Sequence, residues 1–217
     1  LHMGERVVIK EILEWGYCII IAVVLALLVR YYIGTPTIVQ QQSMQTTFMP
    51  GDRLILSRIT KTAKGTYERG DIVTFEAPSA TIVAAANVNF DYPVAVYENE
   101  PKGLWSKFVY YILELNKTSY IKRVIGIAGD HIEIKNGKVY LNEQEIKEKY
   151  LDEDVTTNMG QYGVFSDIVV PEGYVFVMGD NRDHSTDSRC FGCIPVSKIE
   201  GKVWIRFWPF SKFGKVE

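Results

Sequence analysis

Histidine and cysteine are scarce in this chain, and net charge is nearly absent. Its 217 residues include three histidines and three cysteines, and the formal charge at pH 7 is -2. Three cysteines are too few for a disulfide scaffold, so a hydrophobic core must hold the fold. Cys18 lies inside an apolar run, while Cys190 and Cys193 form a C-x-x-C. A zinc site there would need two more ligands, and no suitable Cys/His pair stands ready, so no metal is expected and no cofactor is implied. A thioredoxin-type reading of the same pair lacks its βαβ setting. The small charge and a pI near 6.0 give no electrostatic footing for nucleic acid. There is no internal repeat and no low-complexity tract. At 47% hydrophobic and 23% charged residues the composition is that of a folded protein, with room for one substantial domain or one domain with a sizeable insertion.

Against that background, one long apolar run stands out. Trp15 to Val29 is uncharged, and Tyr31-Tyr32-Ile33 extends it past Arg30, giving nineteen residues from Trp15 to Ile33. That is close to the ~20 needed to span hydrocarbon as a helix. Trp15 and Tyr17 at one end and Tyr31 and Tyr32 at the other suit the two membrane interfaces, and Arg30 is near enough to an end to snorkel. Leu1-His2 before Met3 has the look of a vector remnant, and the natural start is expected at Met3. Arg6 and Lys10 ahead of the span favour a cytoplasmic N-terminus, which would put the rest of the chain outside the cytoplasm.

After Thr35-Pro36 the pattern becomes one of short extended runs. Arg53 to Ile59, Asp71 to Phe75, Tyr120 to Ile127, Tyr174 to Met178 and Lys202 to Phe207 are rich in branched and aromatic residues. His131 to Lys135 and Lys138 to Leu141 flank Asn136-Gly137, the strongest hairpin signal in the chain. The expectation is a mainly β domain. One stretch departs from it: between Pro78 and Thr118, residues Leu104, Trp105, Phe108, Ile112 and Leu115 recur at helical spacing. A helix packed on the sheet and a helix dipping into the membrane both fit.

Three stretches carry the chemistry. Gln41-Gln42-Ser43-Met44-Gln45-Thr46-Thr47-Phe48, leading to Pro50-Gly51-Asp52, places one serine just after the apolar run. Tyr120 to Asp130 holds Lys122, and Gly179 to Arg189 is dense in Asp, Asn, Arg and Ser. A serine hydroxyl needs a base before it is a good nucleophile. With Leu1-His2 set aside, only His131 and His184 remain, and His184 reads as a solvated loop residue. A lysine can serve instead where burial or nearby positive charge lowers its pKa. Lys122 and Arg123 are adjacent in a strand, so they point to opposite faces and one of them can turn inward. Asp183 and the Glu residues between 143 and 153 read as solvated surface.

Together with Arg69-Gly70-Asp71-Ile72-Val73, these stretches resemble, in order, the four signature segments of type I signal peptidases of the Gram-positive type. Those are membrane-bound Ser/Lys proteases that remove signal peptides from exported proteins. The resemblance runs from the apolar run almost to the C-terminus. It implies a signal-peptidase-like β catalytic domain with an inserted smaller lobe, preceded by one transmembrane helix. Residues 1–14 would be cytoplasmic, 15–33 the span and 34–217 an extracytoplasmic catalytic domain, with 78–118 as the insertion. It implies Ser43 as nucleophile and Lys122 as general base, Ser185 as the residue that hydrogen-bonds and orients the Lys122 amine, and Asp187 with Arg189 as a supporting pair. The Ser43 N–H would serve the oxyanion. Ile38, Val39, Met44 and Phe75 are candidates for lining two shallow apolar pockets, since signal peptides end in small residues. The partners implied are signal peptides of exported precursors and membrane lipid.

Two departures fall at the site. Thr46 stands where the family usually has proline, and Gln41 where it has glycine or serine. The Gln41 amide is either a second oxyanion donor or an obstruction. Both departures suggest a specialised member, with pilin precursors among its candidate substrates. They also motivate a rival reading, a non-proteolytic accessory protein that binds pilins or signal peptides. An autoprotease akin to the SOS repressors is disfavoured by the apolar run and by the absence of a DNA-binding helical domain. Cys190 and Cys193 are open to pairing as a short-loop disulfide or to remaining free.

Overall fold

The structure is a computed structural model, and it describes residues 2–63, 65–81, 89–98, 101–114, 117–160 and 162–216. The first element, α1, is one helix from His2 to Tyr32. Within it Lys10–Tyr32, 23 residues, is long and apolar enough to cross a bilayer by length and composition, and none of that stretch is packed inside the protein. At 1.5 Å per residue it reaches about 35 Å. The helix ends where Pro36 disfavours helical backbone at the residue before it.

From there the chain is mainly extended. The strands β1 (Gly34–Ile38), β2 (Arg53–Ser57), β3 (Ile72–Glu76) and β4 (Ser119–Ile127) come first. They are followed by β5 (His131–Lys135), β6 (Lys138–Leu141), β7 (Gln144–Glu145), β8 (Asp167–Val169) and β9 (Tyr174–Met178). Last come β10 (Ile194–Pro195) and β11 (Ile199–Trp208). Seven of them form an antiparallel sheet in the order β1-β2-β11-β3-β4-β9-β10, and four form a second in the order β7-β6-β5-β8. The large sheet is buried on both sides at β3, whose five residues are all inaccessible. Alternate side chains explain this: Val73 and Phe75 enter one cluster with Val124, Val177 and Phe191, while Ile72 enters another with Val39, Met44, Phe48 and Leu54.

The Asn136-Gly137 hairpin forms as expected between β5 and β6, with both turn residues at positive φ (52° and 74°), as a tight two-residue hairpin turn requires. Other boundaries moved. The expected strand Arg53 to Ile59 stops at Ser57, because Arg58 leaves the extended region, turns its side chain inward to Glu114, and leads into the four-residue helix α2 (Ile59–Thr62). The last strand begins three residues before Lys202, at Ile199. The smaller sheet is built from residues 131–169, after the third signature segment.

The helix expected in that stretch is α3 (Leu104–Tyr111), with Ile112 as its cap; Leu115 lies outside the described residues. It is not packed apolar-side down on the sheet. Leu104 is 90% and Trp105 75% exposed. What holds it is polar: the Tyr110 hydroxyl donates to Glu76 at 3.0 Å, and Glu114 just beyond it pairs with Arg30 of α1 at 2.9 Å and with Arg58. Cys190 falls in the four-residue helix α4 (Ser188–Phe191), and both Cys190 and Cys193 are buried free thiols.

Candidate active site

Ser43 sits in a single 3-10 turn, Gln42–Met44, directly after the β1 edge strand. Met44 anchors the turn from below, fully buried with Phe48, Leu54 and Leu56. From the other side it is clamped by the segment after β9. The Asn181 N–H donates to the Ser43 carbonyl at 3.0 Å, and the Asn181 side-chain amide donates to the Gln42 carbonyl at 3.1 Å. Gly179 makes this approach possible, since a Cβ there would lie 2.4 Å from the Ser43 carbonyl oxygen and 2.3 Å from Ser185 Oγ. The Gln45–Thr46 peptide is cis.

Lys122 lies in β4 and is 1% exposed; Ser43 is 5% exposed. The Lys122 ammonium nitrogen Nζ is 2.5 Å from Ser43 Oγ. Burial lowers the Lys122 pKa from 10.5 to about 8; Asp187 and Asp180 pull it up, and Arg189 pushes it further down. An amine so placed is neutral in a useful fraction near neutral pH, and it is already in hydrogen-bond contact with the hydroxyl it would deprotonate.

The neighbouring charges are paired. Arg189 grips Asp187 with two N–H···O bonds of 2.9 Å, and the Gly179 N–H donates to the same carboxylate at 3.0 Å. Burial alone would push the Asp187 carboxyl up, but Arg189 and the Gly179 N–H outweigh it and hold the group below its usual range. Arg123, the residue after Lys122, binds Asp180 through two bonds of 3.0 and 2.8 Å, and the Thr47 hydroxyl donates to Asp180 at 2.5 Å. The Asp180 pairing was not singled out in the sequence, although Asp180 stands in the fourth segment. Nor was Glu148, which is not free surface but pairs with the buried Arg182. His184 is exposed.

Of the expected site residues, Ser43, Lys122, Asp187 and Arg189 come together. Ser185 does so only in part. Its Oγ is buried beside Gly179 and has no hydrogen-bond partner of good geometry among the described residues, so the expected bond to the Lys122 amine is not formed. It lies close enough to Asp187 to help keep that carboxylate ionised. Phe75 and Met44 are core residues: Phe75 packs edge-on against Tyr120 and Phe191. Ile38, Val39 and Gln41 do line a cavity, of about 380 Å³, between β1 with its continuation and the N-terminal half of β4, where Ser119, Tyr120 and Ile121 face it. Gln41 is exposed, and its side chain makes no bond to the 3-10 turn it precedes.

Residues 12–208 match the family described as signal peptidase, peptidase S26. The chain is 35% identical over 216 residues to signal peptidase IB of Staphylococcus aureus (strain COL), covering 94% of this chain and 93% of that one. It is 32% identical over 213 residues to signal peptidase I P of Bacillus subtilis subsp. natto, covering 96% of this chain and 95% of the other. A signal peptidase I of known structure, from Enterococcus faecalis V583, is matched at a TM-score of 0.40 and 23% identity over 63% of this chain and 96% of that one, and the assignment does not rest on it. With a family match through the whole β region and relatives above 30% identity across nearly the full length, this chain belongs to the signal peptidase family, peptidase S26.

Proposed function

We propose that this protein is a membrane-anchored serine endopeptidase that removes signal peptides from exported precursors through a Ser43/Lys122 dyad. The observation that carries the reading is the 2.5 Å contact between Lys122 Nζ and Ser43 Oγ, with the lysine lowered to about 8 by burial. Neutral Lys122 takes the Ser43 proton as Oγ attacks the carbonyl that follows a small side chain. The Ser43 N–H and the Gln41 amide serve the oxyanion. The Lys122 ammonium then gives its proton to the leaving amine, and Asp187 and Asp180 stabilise the positive charge while it lasts. In the second half Lys122 activates water, which releases the acyl group from Ser43. Ser185 acts by packing against Gly179 and bearing on Asp187.

The extended end of the signal peptide lies in the cavity between β1 and β4, with Ile38 and Val39 along its wall. β1 is an edge strand, which suits strand addition by a peptide. The span Lys10–Tyr32 holds the catalytic part at the outer face, with the N-terminus cytoplasmic on the strength of Arg6 and Lys10. The exposed side of α3 meets the same bilayer, a reading supported by the Glu114–Arg30 pair that ties the end of α3 to the end of α1. The non-proteolytic alternative is not favoured, because both dyad residues are present and in contact and the relatives carry peptidase names. The departures at Gln41 and Thr46 support a narrowed substrate set, with pilin precursors as the first class to try.

The test uses detergent-solubilised protein and a panel of precursors, pilin precursors included, with Ser43→Ala and Lys122→Ala alongside. Cleavage after a small residue, reduced by roughly a thousandfold or more in each variant, is the expected result. Precursor that is bound but left uncut by the unaltered protein would overturn the reading.

A further inference from the structure

The cavity beside the dyad is not the apolar slot that small signal-peptide residues would need. Beyond Ile38 and Val39 it is lined by Thr74, Arg30, Arg58, Lys117, Glu114 and Glu200. Thr74 belongs to β3, where it pairs with Ile121, the residue before Lys122. Lys117 contacts Glu200 at 2.6 Å, and the Ser119 hydroxyl donates to Glu200 at 2.9 Å.

The hydrogen bonding here is incomplete. Among the described residues, five buried side-chain polar atoms lack a partner, and three of them belong to this wall: Thr74 Oγ1, Arg58 Nε and Arg30 Nε. Thr74 is 5% and Arg58 7% exposed. A buried polar group left unpaired is costly; here the Thr74 hydroxyl is unpaired, and Arg30 and Arg58, which spend other nitrogens on Glu114, each keep an Nε–H free to donate. The charged side chains are three cations and two carboxylates, so the balance also favours an acceptor.

We propose that this end of the cavity is a specificity subsite for a hydrogen-bond-accepting side chain of the signal peptide, Asp, Asn or Ser rather than an aliphatic one. The inference rests on the proposed peptidase reading. Position follows from the strands. Thr74 is level with Ile121, and Ser119 is three residues from Lys122, about 10 Å along an extended chain. The side chain so read stands three to five residues ahead of the scissile bond. The substrate would thereby be chosen by polarity at a point where the family's usual requirement is only small size, and the unpaired groups would reject a peptide that cannot bond to them.

The experiment compares peptides with alanine held at the residue before the cut, carrying Asp, Asn, Ser, Val or Leu at each of the third, fourth and fifth positions upstream. The readout is the ratio of kcat/KM between acceptor and aliphatic peptides, for the unaltered protein, Thr74→Val and Lys117→Met. The expected ratio is roughly tenfold or more at one position, collapsing towards unity in Thr74→Val. Competition binding of the same peptides to Ser43→Ala gives the ratio without turnover, so a failure of the peptidase reading leaves this one still measured. Equal cleavage and equal binding of both series would overturn the subsite while leaving the peptidase intact. A ratio that survives in both variants would overturn it too. So would vesicles of anionic lipid that displace peptide while the two series bind alike, because the donors would then serve a headgroup at the end of α1.

Discussion

Lys122 is the residue on which the site turns, and its cost can be estimated. Its folded pKa of about 8 lies below the ordinary 10.5, a difference worth about 3 kcal/mol at ~1.4 kcal/mol per unit. The sign follows from linkage. Below pH 8 the amine is charged in both states and the folded state bears the penalty of a buried ammonium. Between 8 and 10.5 the folded protein has lost the proton and the unfolded chain has not, so stability rises with pH. Lys122→Met therefore raises stability at pH 7 by about 1–3 kcal/mol, and its advantage shrinks as pH climbs towards 10.5. Thermal unfolding of the two proteins in detergent at pH 7 and 9.5 checks both size and direction; a variant less stable at pH 7 would contradict it. The burial of Lys122 was legible only through its neighbours in sequence order, since no single lysine announces burial. The Arg58–Glu114 and Lys117–Glu200 contacts were not legible at all. They join residues 56 and 83 positions apart, and each charged residue alone reads as solvated surface.

At the level of elements, the strands were legible because branched and aromatic residues alternate between turn residues, as in β4 and β9, and because Asn-Gly has few other places to go. The short pieces were not. α2 has four residues, and β7 and β8 have two and three, too few to show a period, and long-range partners hold them in place. That is why only the β5–β6 hairpin of the second sheet was visible in advance. α3 shows the opposite failure: its helical period was visible, but period alone does not say what covers the apolar side. Leu104 and Trp105 are left to solvent, and moving a leucine side chain out of water gains about 2 kcal/mol. Leu104→Glu with Trp105→Glu is expected to slow cleavage of a precursor embedded in liposomes by tenfold or more, while cleavage of a soluble peptide in detergent holds steady. Equal losses on both substrates would show that α3 supports the fold and not the membrane contact.

For the whole molecule, the chain threads its chemistry through distant stretches. The serine follows the apolar helix α1, the lysine sits in a strand 79 residues later, and the segment that clamps the serine comes after β9. The seven-stranded sheet closes that distance by placing β11, the last strand, between β2 and β3. The order of the four segments in the sequence was enough to name the family; the sheet order was not legible, because strand partners so far apart leave no local trace. What the assembly achieves is a buried amine against a serine hydroxyl, with a polar cavity lined by the residues just before each of them and an apolar helix of spanning length at the N-terminal end. The measurement that bears most directly on this account is the pH dependence of kcat/KM for precursor cleavage by the unaltered protein. The account predicts a limb rising with pH through a midpoint near 8, as Lys122 loses its proton. A rate that is flat from pH 6 to 10, or a limb that persists in the residual activity of Lys122→Ala, would contradict it.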